Sequence, residues 1–301
     1  MKARLAAVVL TASATFSTTF AAVGAPLASA GPGADHTAAK HPYAPLPANQ
    51  LFPALAKYRR YVHARIDELV PEVARLAGDL AGHDAAAAKD AWLTARLTWL
   101  RIGQDDSAYG VFGELGQHID GTAAGHARGV HDPSFTGFHR IEVDLWRGHN
   151  VSAAHADAVR LEGYVRQLSR LSLARAIASD PTGVNDFVLR SHEIVEDAVR
   201  DTLSGDDEYG SGTALASVIA DVDATREVLT LLAPKIDARS PGLVARARRQ
   251  LNRLATVAAH GKRGGHWVAI RALPRSERER VNSAAGAADE TLAVIPELLE
   301  G

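Results

Sequence analysis

From Leu55 to Leu299 the apolar residues of this chain recur at intervals of three and four, and no segment alternates apolar and polar residues as a half-buried strand does. Leu55, Tyr58, Val62, Ile66, Leu69, Val73, Leu76 and Leu80 mark one face of a long first helix, which Pro71 is expected to kink. Ala88, Trp92, Ala95, Trp99 and Ile102 mark a second. The period resumes at Leu161, Val165 and Leu168, at Val184, Val188, His192, Val195 and Val199, and at Leu215, Val218, Val222, Leu229 and Leu232. It ends with Leu243, Ala247, Leu251 and Leu254, then Val281, Ala285, Ala288, Leu292, Ile295 and Leu299. Asp180-Pro181 and Ser240-Pro241 place a capping residue before a helix-starting proline, and Ser276 with Glu279 matches a capping box. The expectation is an all-α protein of about eight helices in two packed four-helix bundles, over residues 51–178 and 179–301.

The beginning of the chain has another character. Lys2 and Arg4 precede an Ala/Val/Leu stretch that ends in Ala28-Ser29-Ala30, so residues 1–30 read as a secretory signal peptide. Pro32, Pro42, Pro45 and Pro47 make residues 31–50 a flexible spacer before the folded region, 51–301. The expected product is secreted or extracytoplasmic and does not span the membrane after processing. Cys is absent and Met1 is the only methionine, which excludes thiolate catalysis, disulfides, Fe–S clusters and lipid anchoring through Cys. The net charge is −2, and removal of Lys2 and Arg4 takes it to −4. An exported, mildly acidic chain is not expected to bind nucleic acid.

One stretch interrupts the helical rhythm. Gly103 to Gly129 contains seven glycines and is expected to be irregular, with Asp105, Asp106, Tyr109, Phe112, Glu114, His118 and Asp120 along it. Directly after it comes Gly137-Phe138-His139-Arg140-Ile141-Glu142. In a helix His139 and Glu142 are neighbours at i, i+3 and can share one metal ion, although the spacing alone also suits an ordinary surface pair. A second candidate is His192-Glu193-Ile194-Val195-Glu196, in which His192 falls on an apolar stripe and Glu196 lies one turn on. A buried imidazole needs a partner, and a structural carboxylate is the favoured reading.

These two segments, together with Phe112-Gly113-Glu114-Leu115-Gly116-Gln117-His118-Ile119-Asp120 and Tyr209-Gly210-Ser211-Gly212-Thr213, resemble the imelysin-like family over about residues 50–300. Within it the chain is most similar to the EfeO/EfeM-type extracytoplasmic components of iron uptake, in the short form without a cupredoxin domain. The resemblance implies paired helical bundles and a metal site at His139 and Glu142. Asp105, Asp106, Glu114 and Asp120 would complete that site, with His192, Glu193, Glu196 and Tyr209 close behind it. It implies iron, Fe²⁺ or Fe³⁺, as the ion, with zinc and copper as alternatives. It also implies delivery to a membrane iron permease, alongside a haem peroxidase of the same system. Family members often carry Glu after the Arg-Ile of the second helix. Here Arg101-Ile102 runs into Gly103-Gln104-Asp105-Asp106, a departure from that pattern in which Asp105 or Asp106 would have to substitute from a closer backbone.

Two other functions compete. Imelysin-like proteins have been classed as metallopeptidases, but a hydrolase needs an open metal position and a nearby general base, and no unambiguous third His ligand is evident. The reading is therefore a metal-binding protein without turnover. The other alternative is a surface protein that binds anionic polysaccharide. Eleven Lys/Arg between Arg239 and Arg280 face only Glu277 and Glu279, a net of +9, whereas residues 180–208 carry a net of −7. Aromatic stacking residues are sparse in the basic half, with Trp267 the clear one.

Overall fold

The eight apolar residues of the first stripe are all buried, on α1 (Phe52–Ala81), which continues through Pro71. The computed structural model describes residues 44–103, 112–180 and 182–300; the signal peptide, most of the spacer, Asp105 and Asp106 lie outside them. α2 (Ala85–Arg101) buries Ala88, Trp92, Ala95 and Trp99, and Asp84 caps it by accepting from the backbone N–H groups of Ala86 and Ala87 at 3.1 and 2.9 Å. The remaining helices are α3 (Gly113–Asp120), α4 (Gly137–Glu142), α5 (Val151–Ala176), α6 (Val184–Asp197), α7 (Ala214–Arg239), α8 (Leu243–Ala259), α9 (Arg275–Leu292) and α10 (Val294–Glu300). Among the described residues the strands are two dipeptides, β1 (Lys262–Arg263) and β2 (His266–Trp267), paired antiparallel.

α1 packs against α2 and α5, with α3 and α4 against α5. α6, α7, α8 and α9 pack in succession, with α10 against α6 and α7. Contacts of α1 and α2 with α7 join these groups, and His41–Gly301 is one compact unit. The end of the stretch read as a spacer is tied down: Leu46 N donates to Leu299 O at 2.9 Å, and Arg239 donates to Ala44 O at 2.7 Å. No helix of the described residues is long and apolar enough to cross a membrane.

Three expectations need correcting. α6 and α8 begin at Val184 and Leu243, beyond both prolines, and α9 has no side-chain cap. Asp180 instead closes a turn onto Thr182 N, 2.9 Å away, and pairs with Arg59 and Arg175. The glycine-rich stretch is not wholly irregular, because α3 forms within it. Phe112 meets Trp99 edge-to-face at 5.6 Å, His118 stacks on Tyr164 at 4.9 Å, and Ile119 is fully buried, so packing offsets the glycine cost. Val199 is exposed although its stripe predicted it inside. A π-helical turn over Ala198–Thr202 adds a residue to that turn and carries Ala198 and Thr202 inward instead.

Candidate metal site

The Gly-x-His-x-x-Glu motif is α4, a helix of six residues wedged against the end of α3. Thr136 Oγ1 donates to His118 O at 2.9 Å, and Gly137, at φ +83°, lies so close to α3 that a Cβ there would stand 2.1 Å from Ile119 O. Only glycine allows this approach, which sets His139 beside Asp120, the last residue of α3. Trp92 of α2 donates its indole N–H to Phe138 O at 2.9 Å and holds the other side of α4. His139 and Glu142 are both buried. Immediately after Glu142 the helix widens into a second π-helical turn, Val143–Arg147, so both π turns of the described residues flank this region.

His139 Nδ1 lies 3.2 Å from Glu142 Oε2, and Glu142 Oε1 accepts from the backbone N–H groups of Tyr209 and Ser211 at 3.0 and 2.9 Å. Burial pushes the Glu142 carboxyl up, but the hydrogen bond and charge of His139 and the Ser211 hydrogen bonds outweigh it and hold it below the usual range. An ionised Glu142 fixes the imidazole proton on Nδ1 and turns the Nε2 lone pair away from itself. Tyr209 covers the ring at 5.0 Å between centroids and accepts from Ala123 N through its hydroxyl at 2.8 Å.

Nε2 faces charge. Asp120 Oδ1 is 3.6 Å away and Arg96 Nη2 is 3.4 Å away. Arg96 Nε lies 3.0 Å from Asp120 Oδ1, and Asp120 Oδ2 accepts from the Trp99 indole at 2.9 Å. Asp207 Oδ2 is 4.0 Å from Arg96 Nη2 and accepts from Thr202 Oγ1 at 3.0 Å. Asp221 of α7 lines the same cavity of about 100 Å³, with its Oδ1 buried and lacking a hydrogen-bond partner. Burial raises the Asp120 carboxyl, against the charges of Arg96 and His139. Burial also raises Asp221 well above its ordinary value; Arg96 opposes this, while Asp207, Asp197 and Asp120 add to it. Glu208 is raised by its own burial and by the charge of Glu142. The shared cause is buried negative charge with too little positive charge beside it. Among the described residues no three His, Asp or Glu side chains converge as a ready-made metal cage, and Arg96 approaches Asp120, His139 and Asp207 alike.

The structure thus brings His139, Glu142, Asp120 and Tyr209 together. Glu114, expected near them, is exposed in the first turn of α3, six residues before Asp120 and roughly 9 Å back along the axis. The His192 cluster belongs elsewhere: Nε2 lies 2.9 Å from Asp289 Oδ1 of α9 and Nδ1 lies 3.6 Å from Glu196, while Glu193 pairs with Arg190. The imidazole thus faces a carboxylate on α6 and another on α9. Sequence reasoning missed Arg96, Asp207 and Asp221. Arg96 and Asp221 left a signal, since each sits at helical spacing from its apolar stripe, Arg96 four residues after Trp92 and three before Trp99, and Asp221 three after Val218. A larger cavity of about 200 Å³ beside Leu215, His260 and Arg280 gathers no comparable set, and its Arg263 is already paired with Glu277.

Comparison with known proteins agrees with the motifs. The sequence pattern of the Peptidase_M75 family, described as imelysin, matches residues 54–295. The iron uptake system component EfeO of Escherichia coli strain K12 is 24% identical over 242 residues, which cover 80% of this chain and 62% of that protein. The EfeO of Shigella flexneri matches to the same extent, and that of Escherichia coli O1:K1 is 24% identical over 208 residues. The chain therefore spans about three fifths of the length of the curated relatives it matches.

Proposed function

This chain belongs to the imelysin family, and from that premise we propose that it is an extracytoplasmic, EfeO-type component of iron uptake that holds an iron ion at His139. The supporting observation is the surplus of carboxylate in the cavity beside His139 Nε2, with Asp221 buried and the Asp120 and Asp207 side chains 6% and 13% exposed, against the guanidinium of Arg96. The orphaned Oδ1 of Asp221 and the raised Asp120 and Asp221 carboxyls are what a bound cation would relieve. Oxygen donors with one imidazole and no sulfur suit Fe²⁺ or Fe³⁺, and admit Zn²⁺ or Cu²⁺. His139 and Asp120 are the proposed first donors. Glu142 fixes the imidazole tautomer, and it reaches an ion itself only if its hydrogen bond to His139 opens. Asp105 and Asp106 stay as proposed further donors. The two helix groups, divided near residue 178, are read as the two bundles.

The chain passes its ion to a membrane iron permease and works with a haem peroxidase, after export through the signal peptide and release in soluble form. Holding rather than hydrolysis is favoured because Glu142 is committed to His139, Tyr209 and Ser211 and is not a free general base. Calorimetric titration with Fe²⁺ under anaerobic conditions, and with Zn²⁺, tests the site. His139→Ala and Asp120→Asn should each weaken binding by about tenfold or more. Equal affinity in wild type and both variants would refute it.

A further inference from the structure

A buried arginine ordinarily engages its planar fork in several well-aligned hydrogen bonds. Arg59, 2% exposed, does so, donating to Ala178 O, Asp180 O and Thr182 O. Arg96, 3% exposed, does not. Its Nε stands 3.0 Å from Asp120 Oδ1 without hydrogen-bond alignment, and its Nη2 is 3.4 Å from His139 Nε2 and 4.0 Å from Asp207. Its Nη1 is buried with no hydrogen-bond partner. The guanidinium is held by surrounding charge more than by matched geometry.

We propose that Arg96 is a displaceable countercation: its guanidinium holds the seat between Asp120, Asp207 and His139 Nε2 until an ion takes it, and then swings across the adjoining cavity to Asp221. This rests on the reading of His139 as the ion's ligand. Arginine cannot lose its proton, so Arg96 yields the seat only by moving. The structure provides somewhere to go. The cavity of about 100 Å³ is lined by both Arg96 and Asp221, together with Asp120, His139 and Asp207, and Asp221 keeps a buried oxygen without a partner. Moving from one carboxylate seat to the other keeps the positive charge inside the cluster while the ion compensates Asp120 and Asp207.

The test uses Zn²⁺ as a redox-inert probe with wild type, Arg96→Met, Arg96→Lys and His139→Ala, followed by crystals of wild type with and without Zn²⁺. Removing a like charge a few ångströms from the ion should tighten Zn²⁺ binding in Arg96→Met by about tenfold or more. Arg96→Lys should stay close to wild type, because the charge remains. In Zn²⁺-loaded crystals the guanidinium should lie within about 4 Å of Asp221 and away from Asp120. If Arg96→Met binds equally or more weakly while His139→Ala abolishes binding, Arg96 positions Asp120 instead and the proposal is overturned. The same holds if Arg96 stays on Asp120 in the loaded crystals, a result that does not require the Met variant to fold. Unchanged Zn²⁺ affinity in His139→Ala would instead remove the site reading on which the proposal stands.

Discussion

Gly137 and Gly125 adopt nearly the same left-handed backbone, φ +83° and +82°, but differ in surroundings. A Cβ at Gly137 would stand 2.1 Å from Ile119 O, whereas at Gly125 nothing lies within 4 Å. Gly125→Ala should therefore cost only the left-handed penalty, about 1–2 kcal/mol. Gly137→Ala adds a collision with backbone. Restoring a normal contact takes roughly an ångström of movement between α3 and α4, an overpacking cost of about 1–3 kcal/mol more. That movement separates Asp120 from His139, so Gly137→Ala should also weaken Zn²⁺ binding, while Gly125→Ala should not. Urea unfolding followed by circular dichroism at 222 nm measures the difference, with a common m-value as the check on two-state behaviour. Equal destabilisation of the two variants, or undiminished metal affinity in Gly137→Ala, would refute this account of how α4 is seated.

Asp144, two residues beyond Glu142, and His192, away from the site, each carry a further prediction. Burial and sharing with Asp157 raise the Asp144 carboxyl to about 6, so the folded state keeps a proton there to higher pH than the unfolded chain does. Asp144 thus costs stability progressively as pH rises from about 4 to 6; Asp144→Asn should gain on wild type across that window and level off above it at about 1–2 kcal/mol, whereas a pH-independent gain in urea midpoints would contradict the assignment. His192→Ala should lower the thermal midpoint by breaking the contact with Asp289 between α6 and α9, yet leave Zn²⁺ affinity within about twofold of wild type; a tenfold loss of affinity would place His192 in the site after all.

The helical core was legible because one period carries it: the stripes of α1, α2, α7 and α8 are buried residue for residue. Val199 was missed because a π turn changes the period within a helix, which periodicity cannot foresee. α3 was missed because its propensity is poor and tertiary packing of Phe112, His118 and Ile119 sustains it. Within the candidate site, the Gly-x-His-x-x-Glu motif carries His139 and Glu142, the family resemblance alone points to Tyr209, and Asp120 is one of the carboxylates of the glycine-rich segment. Glu114 shares a helix with Asp120 but sits at its other end, a distinction that glycine content alone does not reveal. Arg96 and Asp221 escape because a search for apolar stripes passes over the charged residues that flank them.

The central claim is that an iron-uptake ion is bound at Nε2 of His139 with Asp120. Anomalous diffraction from Zn²⁺-loaded crystals measures this directly. The account predicts a peak about 2.0–2.2 Å from both His139 Nε2 and an Asp120 carboxylate oxygen, with Glu142 still on Nδ1. A peak at His192 and Glu196, or on the Nδ1 side of His139, would contradict it.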